Sequence, residues 1–525
     1  MIDHLKPGRY INKEWNSVHK DWDSAALKVV LSFPDIYEIG MSHLGLKILY
    51  GLLNREKDVL CERVFAPWLD KEKSLRNKKE KLTSLESKRV LKEFDIIGFS
   101  LQYEMNYPDA LNILELGCVP IFSKDRGEDD PIVIAGGPCS FNPEPMSDFI
   151  DLFVIGESEE VILDVVRIVK NKTSRSKTLE ELGKLDGVYV PALSGDKTIK
   201  RLTVKDLDKS YFPSDIIVPY IQTVHDRIGI EIMRGCPHKC NFCQACKVFH
   251  PLRIRSVDSI LEIAERSIRE TGYEEISLLS LSSGDYPHLD ELIRKFKERF
   301  KDKGIKVSLP SLRVRSFEDK ELGTLIRKAG LTFAPEAGSD RLRKLLNKEI
   351  DTEKIVEKSN LMLRSGWKKV KFYFMIGLPG ETDVDLDEII NLASRIKNVN
   401  LSISSFIPKP YSSFEKEGMD SLQELYRKRD YLKNKQREAN SKGIIKIDFH
   451  GIQMSRIEAI LCRGDRMLGK AIHRFWEREG RLQAWDEHFN YDLWIEVFRD
   501  TGIDTDHYLT QKKDRLGLSW NFIEA

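Results

Sequence analysis

The 525-residue chain has no uninterrupted apolar run near the roughly 18 residues that a membrane helix needs. Its opening stretch, MIDHLKPGRYINKEW, lacks the apolar core of a signal peptide. Net charge is almost absent: 84 Lys plus Arg against 83 Asp plus Glu leave +1, so no global field draws the protein to nucleic acid or an anionic bilayer. No repeat at a period of about 20 to 50 residues is evident. Cysteine is scarce, eight in all, and Cys61, Cys118, Cys139 and Cys462 stand alone, which argues against a disulfide framework. These absences lead us to expect a cytoplasmic protein with no membrane partner.

What is present is ordinary globular material, 41% hydrophobic and 32% charged, in a chain long enough for roughly two to four domains. The N-terminal third alternates apolar runs (LKVVLSF, DIIGFSLQ, PIVIAGGP, LFVIGE) with amphipathic stretches (GLKILYGLLN, NYPDALNILELG, SEEVILDVVRIV). Buried parallel strands separated by helices give this rhythm, so residues 1–170 are expected to hold a doubly wound α/β domain with its ligand crevice at the strand C-terminal ends. The charge-dense stretch 70–93 reads as a solvated helix or loop. Residues 171–221 read as a linker in which GVYVPA and TIKRLTV form a small hairpin.

From residue 222 the α/β rhythm resumes. Six strand-helix units run to about residue 420, the count of a partial (βα)6 barrel, whose chemistry belongs at the strand C-terminal ends. Residues 421–525 are helix-patterned and tryptophan-bearing and read as a helical module packing on the barrel, with Trp476 and Trp485 in its core.

The cysteines left over gather in MRGCPHKCNFCQACKVFH, directly after the first barrel strand. Four thiolates, Cys236, Cys240, Cys243 and Cys246, suffice for structural zinc, and a zinc- or cluster-stabilised binding module is one reading. Iron-sulfur clusters are also held by thiolates, and three ligands on a four-iron cluster leave one iron open for a substrate or cofactor.

RGCPHKCNFC resembles the Cys-x3-Cys-x-aromatic-Cys signature of the radical S-adenosylmethionine (SAM) superfamily, and the later strands carry further similar segments in order. SSGD stands where the family often has Gly-Gly-Glu, FAPEAGSDRLRKLLNK is similar to the segment whose glutamate meets the SAM ribose, and FYFMIGLPGET resembles the adenine-side strand. FIPKPYSSFE resembles the sixth-strand loop of the methylthiotransferase-like branch. The resemblance covers roughly residues 228–415. It implies a 4Fe-4S cluster on Cys236, Cys240 and Cys243. It further implies SAM contacts from Phe242, Ser283, Gly284, Asp285, Glu336, Ile376 and Gly377. Asp285, shorter than the family's glutamate, puts the amino-group contact in question. Arg313 or Arg315 would face the SAM carboxylate or lie on the rim. By resemblance, a reductant such as flavodoxin or ferredoxin delivers an electron, SAM splits to methionine and a 5'-deoxyadenosyl radical, and the radical takes hydrogen from a substrate. RNA, protein and small metabolites all stay open as that substrate. His238 and His250 read as loop residues, Glu381 as a helix cap, and Lys368, Lys369 and Lys371 as a solvated edge.

The N-terminal domain resembles the cobalamin-binding domain that precedes many such barrels, through GMSHLGLKILYGLLN and IVIAGGPCSFNPEPMSDFIDLFVIGESEE. Where the cobalamin pattern has Asp-x-His-x-x-Gly, this chain has PDIYEIG, with Tyr37 at the histidine's place. Asp35, Gly136 and Gly137 would line the crevice, whether it holds cobalamin or is a docking scaffold. The whole implies a radical SAM enzyme that transfers a methyl group or otherwise modifies an unreactive carbon.

The cysteine assignment is directly testable. Cys246→Ser should leave a SAM-cleaving cluster intact while Cys240→Ser abolishes it; equal losses in iron content and cleavage point to a four-thiolate site.

Overall fold

The computed structural model describes residues 5–193, 197–301, 303–309, 331–348, 350–439 and 445–525. The N-terminal sheet contains β1 (Leu27–Phe33), β2 (Val59–Phe65), β3 (Ile96–Ser100), β4 (Ile132–Gly136), β5 (Leu152–Val154) and β6 (Val188–Tyr189). Their order is β2-β1-β3-β4-β5-β6, parallel except for β6. β1 is apolar without alternation because both faces are covered. Val29 and Leu31 pack beneath the helices Leu44–Arg55 and Val161–Lys170, and Val30 packs on the opposite side. The chain reverses direction of winding between β1 and β3, and in such sheets the crevice opens at that point, beyond the strand C-termini.

Two expectations for residues 171–221 fail. Val188–Tyr189 extends the N-terminal sheet instead of forming a hairpin, and β7 (Ile199–Lys200) pairs in parallel with β17 (Ile523–Glu524) at the far end of the chain. Partners hundreds of residues away are invisible to a local turn argument. Nor is the stretch 70–93 wholly solvated. Glu86 is buried and accepts from the Arg63 backbone N–H and Nε at 2.9 and 2.7 Å, while Glu14 takes the other side of the same guanidinium at 2.9 Å.

The central unit begins with β8 (Ile228–Glu231), followed by the two-residue strands β9 (Met233–Arg234) and β10 (Arg253–Ile254), which pair and fasten the two ends of the cysteine loop. β11 (Glu275–Leu279) lies between β8 and β12 (Lys306–Ser308). A second parallel sheet runs β13 (Leu331–Glu336), β14 (Val370–Ile376), β15 (Val399–Ser405), β16 (Ile445–Phe449). β16 corrects the 420/421 boundary: the helix Leu422–Ala439 and β16 are a further helix-strand unit of this sheet, their apolar pattern masked by surface charge on the helix. Arg313 and Arg315 lie outside the described residues.

The C-terminal helices Ile452–Cys462, Leu468–Glu477 and Tyr491–Asp500 do not pack chiefly on the barrel as expected. They share one core with the N-terminal domain, where Ile472, Phe475 and Trp494 join Leu111, Leu114 and Phe149. Trp494 stacks on Phe475 at 3.7 Å. Trp476 and Trp485 lie half-buried at its margin, and Trp485 Nε1 donates to Asp35 at 2.9 Å.

The loop after β15 ties all three units together. Lys409 Nζ reaches Glu104 of the N-terminal domain at 3.1 Å and Glu458 of the C-terminal helices at 2.8 Å. Arg463 donates to the carbonyls of Pro408 and Glu415 in the same loop. Lys409→Met leaves two facing, largely buried carboxylates without their cation. We expect it to lower the thermal unfolding midpoint, at a cost of roughly 3 kcal/mol; an unchanged midpoint contradicts the role of this knot.

Candidate active site

The cysteine loop leaves β9 through Gly235, held at φ +90°, where a Cβ would come within 2.7 Å of the Phe249 carbonyl and 2.8 Å of that of Pro251. Only glycine fits so tight a return. Cys240 is buried, and Cys236 and Cys243 are half-buried. Cys246 turns back on the loop, its thiol donating to the Cys243 carbonyl at 2.9 Å. Hydrogen bonding from Cys246 lowers the Cys243 thiol pKa, which favours the thiolate that metal ligation uses. Among the described residues no three His, Cys, Asp or Glu side chains are already drawn together as a metal site. The donor chemistry nonetheless fits a cluster held by Cys236, Cys240 and Cys243.

Of the expected SAM-side residues, Phe242 lies in this loop, Asp285 bonds it through His238, and Glu336 pairs with Lys348, which lies over the Phe242 ring. Phe242 sits in a small apolar cluster with Ala337, Leu342, Leu346, Leu378, Phe406 and Phe414. Backbone hydrogen bonds from Asn241 to Leu346 and from Phe414 to Asn241 seal the loop between the segments after β13 and β15. Glu336 stands on a β-bulge at the end of β13 in a left-handed conformation, φ +68°, and its carboxylate accepts from Lys348 Nζ at 2.8 Å. A non-glycine residue in that region stores strain, as residues at binding sites often do.

Asp285 and Ser283 divide their labour. Ser283 is fully buried and donates to the Leu278 carbonyl, so it shapes the turn after β11, with Gly284 at its crest. Asp285 accepts from His238 Nε2 at 2.7 Å and from Ser282. His238, expected as a bland loop residue, therefore joins the cysteine loop to the second strand. Sequence spacing carries no signal for that pair, which lies 47 residues apart.

At the end of β14, Ile376 is buried and Gly377 is left-handed. Glu381 does not cap the following helix, a task that falls to Thr382 and Asp385. Glu381 instead accepts from the Gly377 N–H at 2.7 Å and pairs with Lys428 at 2.8 Å, which also binds Asp420. Burial pushes the Glu381 carboxyl up to about 6.

Across from the cysteine loop lies a cavity of about 390 Å³. Its floor is the N-terminal sheet: Val29, Leu31, Ile96, Ile134 and Val154, with Gly136 and Gly137 at the rim. Its roof is the barrel: Glu231, Met233, Arg234 and Gly235, with Val248 and Phe249 beyond the cysteines and Leu279–Leu281 after β11. Gly137 is at φ +103°, where a Cβ would meet the Leu101 carbonyl at 2.6 Å. Asp35, expected in this crevice, is not among its lining residues; Trp485 and Asn106 hold its carboxylate instead.

Tyr37 is buried with its hydroxyl donating to Glu14 at 2.9 Å. His43 lines the cavity, but its Nδ1 accepts the Leu46 N–H at 3.1 Å and its ring also bonds Gln102. Burial drops the His43 imidazole to about 4, so it stays neutral.

Arg234 and Arg253 join the two walls. Arg234 pairs with Glu157 at 3.1 Å, Glu159 at 2.7 Å and Glu231 at 2.9 Å. Arg253 binds Glu157 at 2.7 Å.

Comparison with known proteins follows this geometry. The family model "Radical SAM proteins, N-terminal" matches residues 45–191, and "Radical SAM superfamily" matches residues 230–393. The uncharacterised protein MJ0966 of Methanocaldococcus jannaschii is 30% identical over 484 residues, 90% of this chain and 97% of its own. The anaerobic magnesium-protoporphyrin IX monomethyl ester cyclase of Cereibacter sphaeroides is 26% identical over 52% of this chain and 46% of its own. Among solved structures, the radical SAM methyltransferase TsrM of Kitasatospora setae, with cobalamin and a [4Fe-4S] cluster bound, aligns over 72% of each chain. Its TM-score is 0.50 at 13% identity, a likeness of fold.

The Glu381 environment yields a pH test. Its carboxyl is raised in the folded state, so its favourable contribution is full below the unfolded value near 4.5 and is lost as pH rises through about 6. The stability advantage of the native chain over Glu381→Gln is therefore expected to shrink by about 2 kcal/mol between pH 4 and pH 7. A pH-independent difference contradicts the buried placement.

Proposed function

Because the chain belongs to the radical SAM superfamily, we propose that it is a cobalamin-assisted enzyme that transfers a methyl group to an unreactive carbon. The observation that carries this reading is the cavity of about 390 Å³ shared by the N-terminal strand ends and the cysteine-loop side of the barrel. In this reading Cys236, Cys240 and Cys243 hold a 4Fe-4S cluster and Cys246 does not. When bound, the cluster supplies one electron to SAM, and cobalamin supplies a carrier for the methyl group.

The protein's own residues do the positioning. Glu336, with Lys348 holding its carboxylate, orients the ribose. Gly377, fixed by Glu381 and Lys428, presents backbone to the adenine, and Asp285, oriented by His238, faces the amino group. Gly136 and Gly137 let the macrocycle approach the strand ends without a Cβ in the way. The apolar part of the roof, Met233, Val248, Phe249 and Leu281, favours a small, largely apolar substrate group over a nucleic-acid backbone. An acidic low-potential carrier such as flavodoxin or ferredoxin is the expected electron donor. A zinc-stabilised binding module leaves the shared cavity and the strained Glu336 without a purpose.

Anaerobic reconstitution tests the reading. The loaded protein is expected to contain iron and sulfide in equal amounts and, with dithionite, to release methionine and 5'-deoxyadenosine from SAM. Bound zinc with no cleavage overturns the proposal.

A further inference from the structure

A second cavity, of about 470 Å³, lies on the other side of the helix Leu44–Arg55. The two cavities divide that helix between them. Leu44, Gly45, Ile48 and Leu49 wall the central crevice, whereas Leu46, Lys47, Tyr50, Gly51, Asn54 and Arg55 face the second space. The remaining walls come from residues 211–217 and from Arg266, Arg269 and Glu270 on the barrel helix Val257–Thr271.

The charge in this cavity is lopsided. Arg63 is already neutralised by Glu14 and Glu86, and Arg269 by Glu270 at 3.0 Å. Among the described residues Arg266 has only a 3.5 Å contact with exposed Glu262. Arg55 has no carboxylate partner among the described residues and lies 5.0 Å over the Tyr211 ring. Lys47 is half-buried, its ammonium has neither hydrogen bond nor ion pair among the described residues, and burial holds it down at about 8, with Asp226 the counter-charge that it feels. Asp215 is the one lining acid without an ion-pair partner among the described residues. Of the three cations only Lys47 is drawn partly out of water, Arg55 and Arg266 being exposed, and an anionic ligand removes the cost that burial puts on its ammonium.

We propose that this cavity is a binding site for a small phosphorylated metabolite, its phosphate held by Lys47, Arg55 and Arg266 and its body lying against Tyr50 and Tyr211. Guanidinium groups match phosphate oxygens bidentately, and a volume of this order holds a metabolite larger than free phosphate. A ligand there loads the helix whose opposite face walls the central crevice, so the site is placed to bias what the crevice holds. It rests on no part of the cluster chemistry.

The test is calorimetric titration of inorganic pyrophosphate into the anaerobically reconstituted full chain at low salt, with citrate as a parallel arm. One-to-one pyrophosphate binding is expected, weakened about tenfold or more by Lys47→Ala and by Arg55→Ala. Arg55 is exposed, so its variant keeps the fold and the comparison stays valid if Lys47→Ala does not. Absence of pyrophosphate binding to the native chain overturns the proposal. So does binding undiminished in Arg55→Ala, and so does binding of citrate in preference to pyrophosphate.

Discussion

The central cavity depends on two arginines that cross between domains. Arg234 immediately precedes Gly235 and Cys236, and Arg253 closes the same loop through the β9-β10 pair. Both engage Glu157, which follows β5 of the N-terminal sheet. Arg253 also donates to the carbonyls of Val204 and Phe249. Buried ion pairs add little net stability over apolar packing, but breaking one leaves a charge unsatisfied. The cluster therefore acts as a specificity device: few relative placements of the two walls satisfy three carboxylates and two guanidinium groups at once. The two ends of the cysteine loop, Gly235 on one side and Val248 and Phe249 on the other, thereby wall the crevice.

The remaining architecture protects that placement. The C-terminal helices cover the face of the N-terminal sheet opposite the crevice and share its core. Lys409, in the loop after β15, connects the barrel to both through Glu104 and Glu458. The strand pair β7-β17 returns the end of the chain to the segment just before the barrel. Motion of one wall against the other must disturb at least one of these attachments.

Much of this was legible from residues alone. The continuous apolar runs announce a parallel sheet covered on both faces, and the spacing of Cys236, Cys240 and Cys243, with similar segments following in order, points to the superfamily that the family model matches. What escaped was set by contacts distant in sequence. β16 hides behind a charged helix, Asp35 faces Trp485 instead of the crevice, and His238 meets Asp285 across 47 residues. Glu381 misled because an acidic residue just before a helix reads as a cap, while its actual partner, Lys428, lies on a later helix. Local pattern reports burial and period; it does not report which distant group completes a hydrogen bond.

The central claim is that the N-terminal crevice and the cysteine-loop side of the barrel form one reaction chamber. The most direct measurement is the absorption spectrum of the anaerobically reconstituted protein loaded with hydroxocobalamin, recorded before and after SAM is added. The account predicts that cobalamin is retained and that its bands shift when SAM binds beside it. A protein that retains no cobalamin, or one whose cobalamin bands do not respond to SAM, contradicts it.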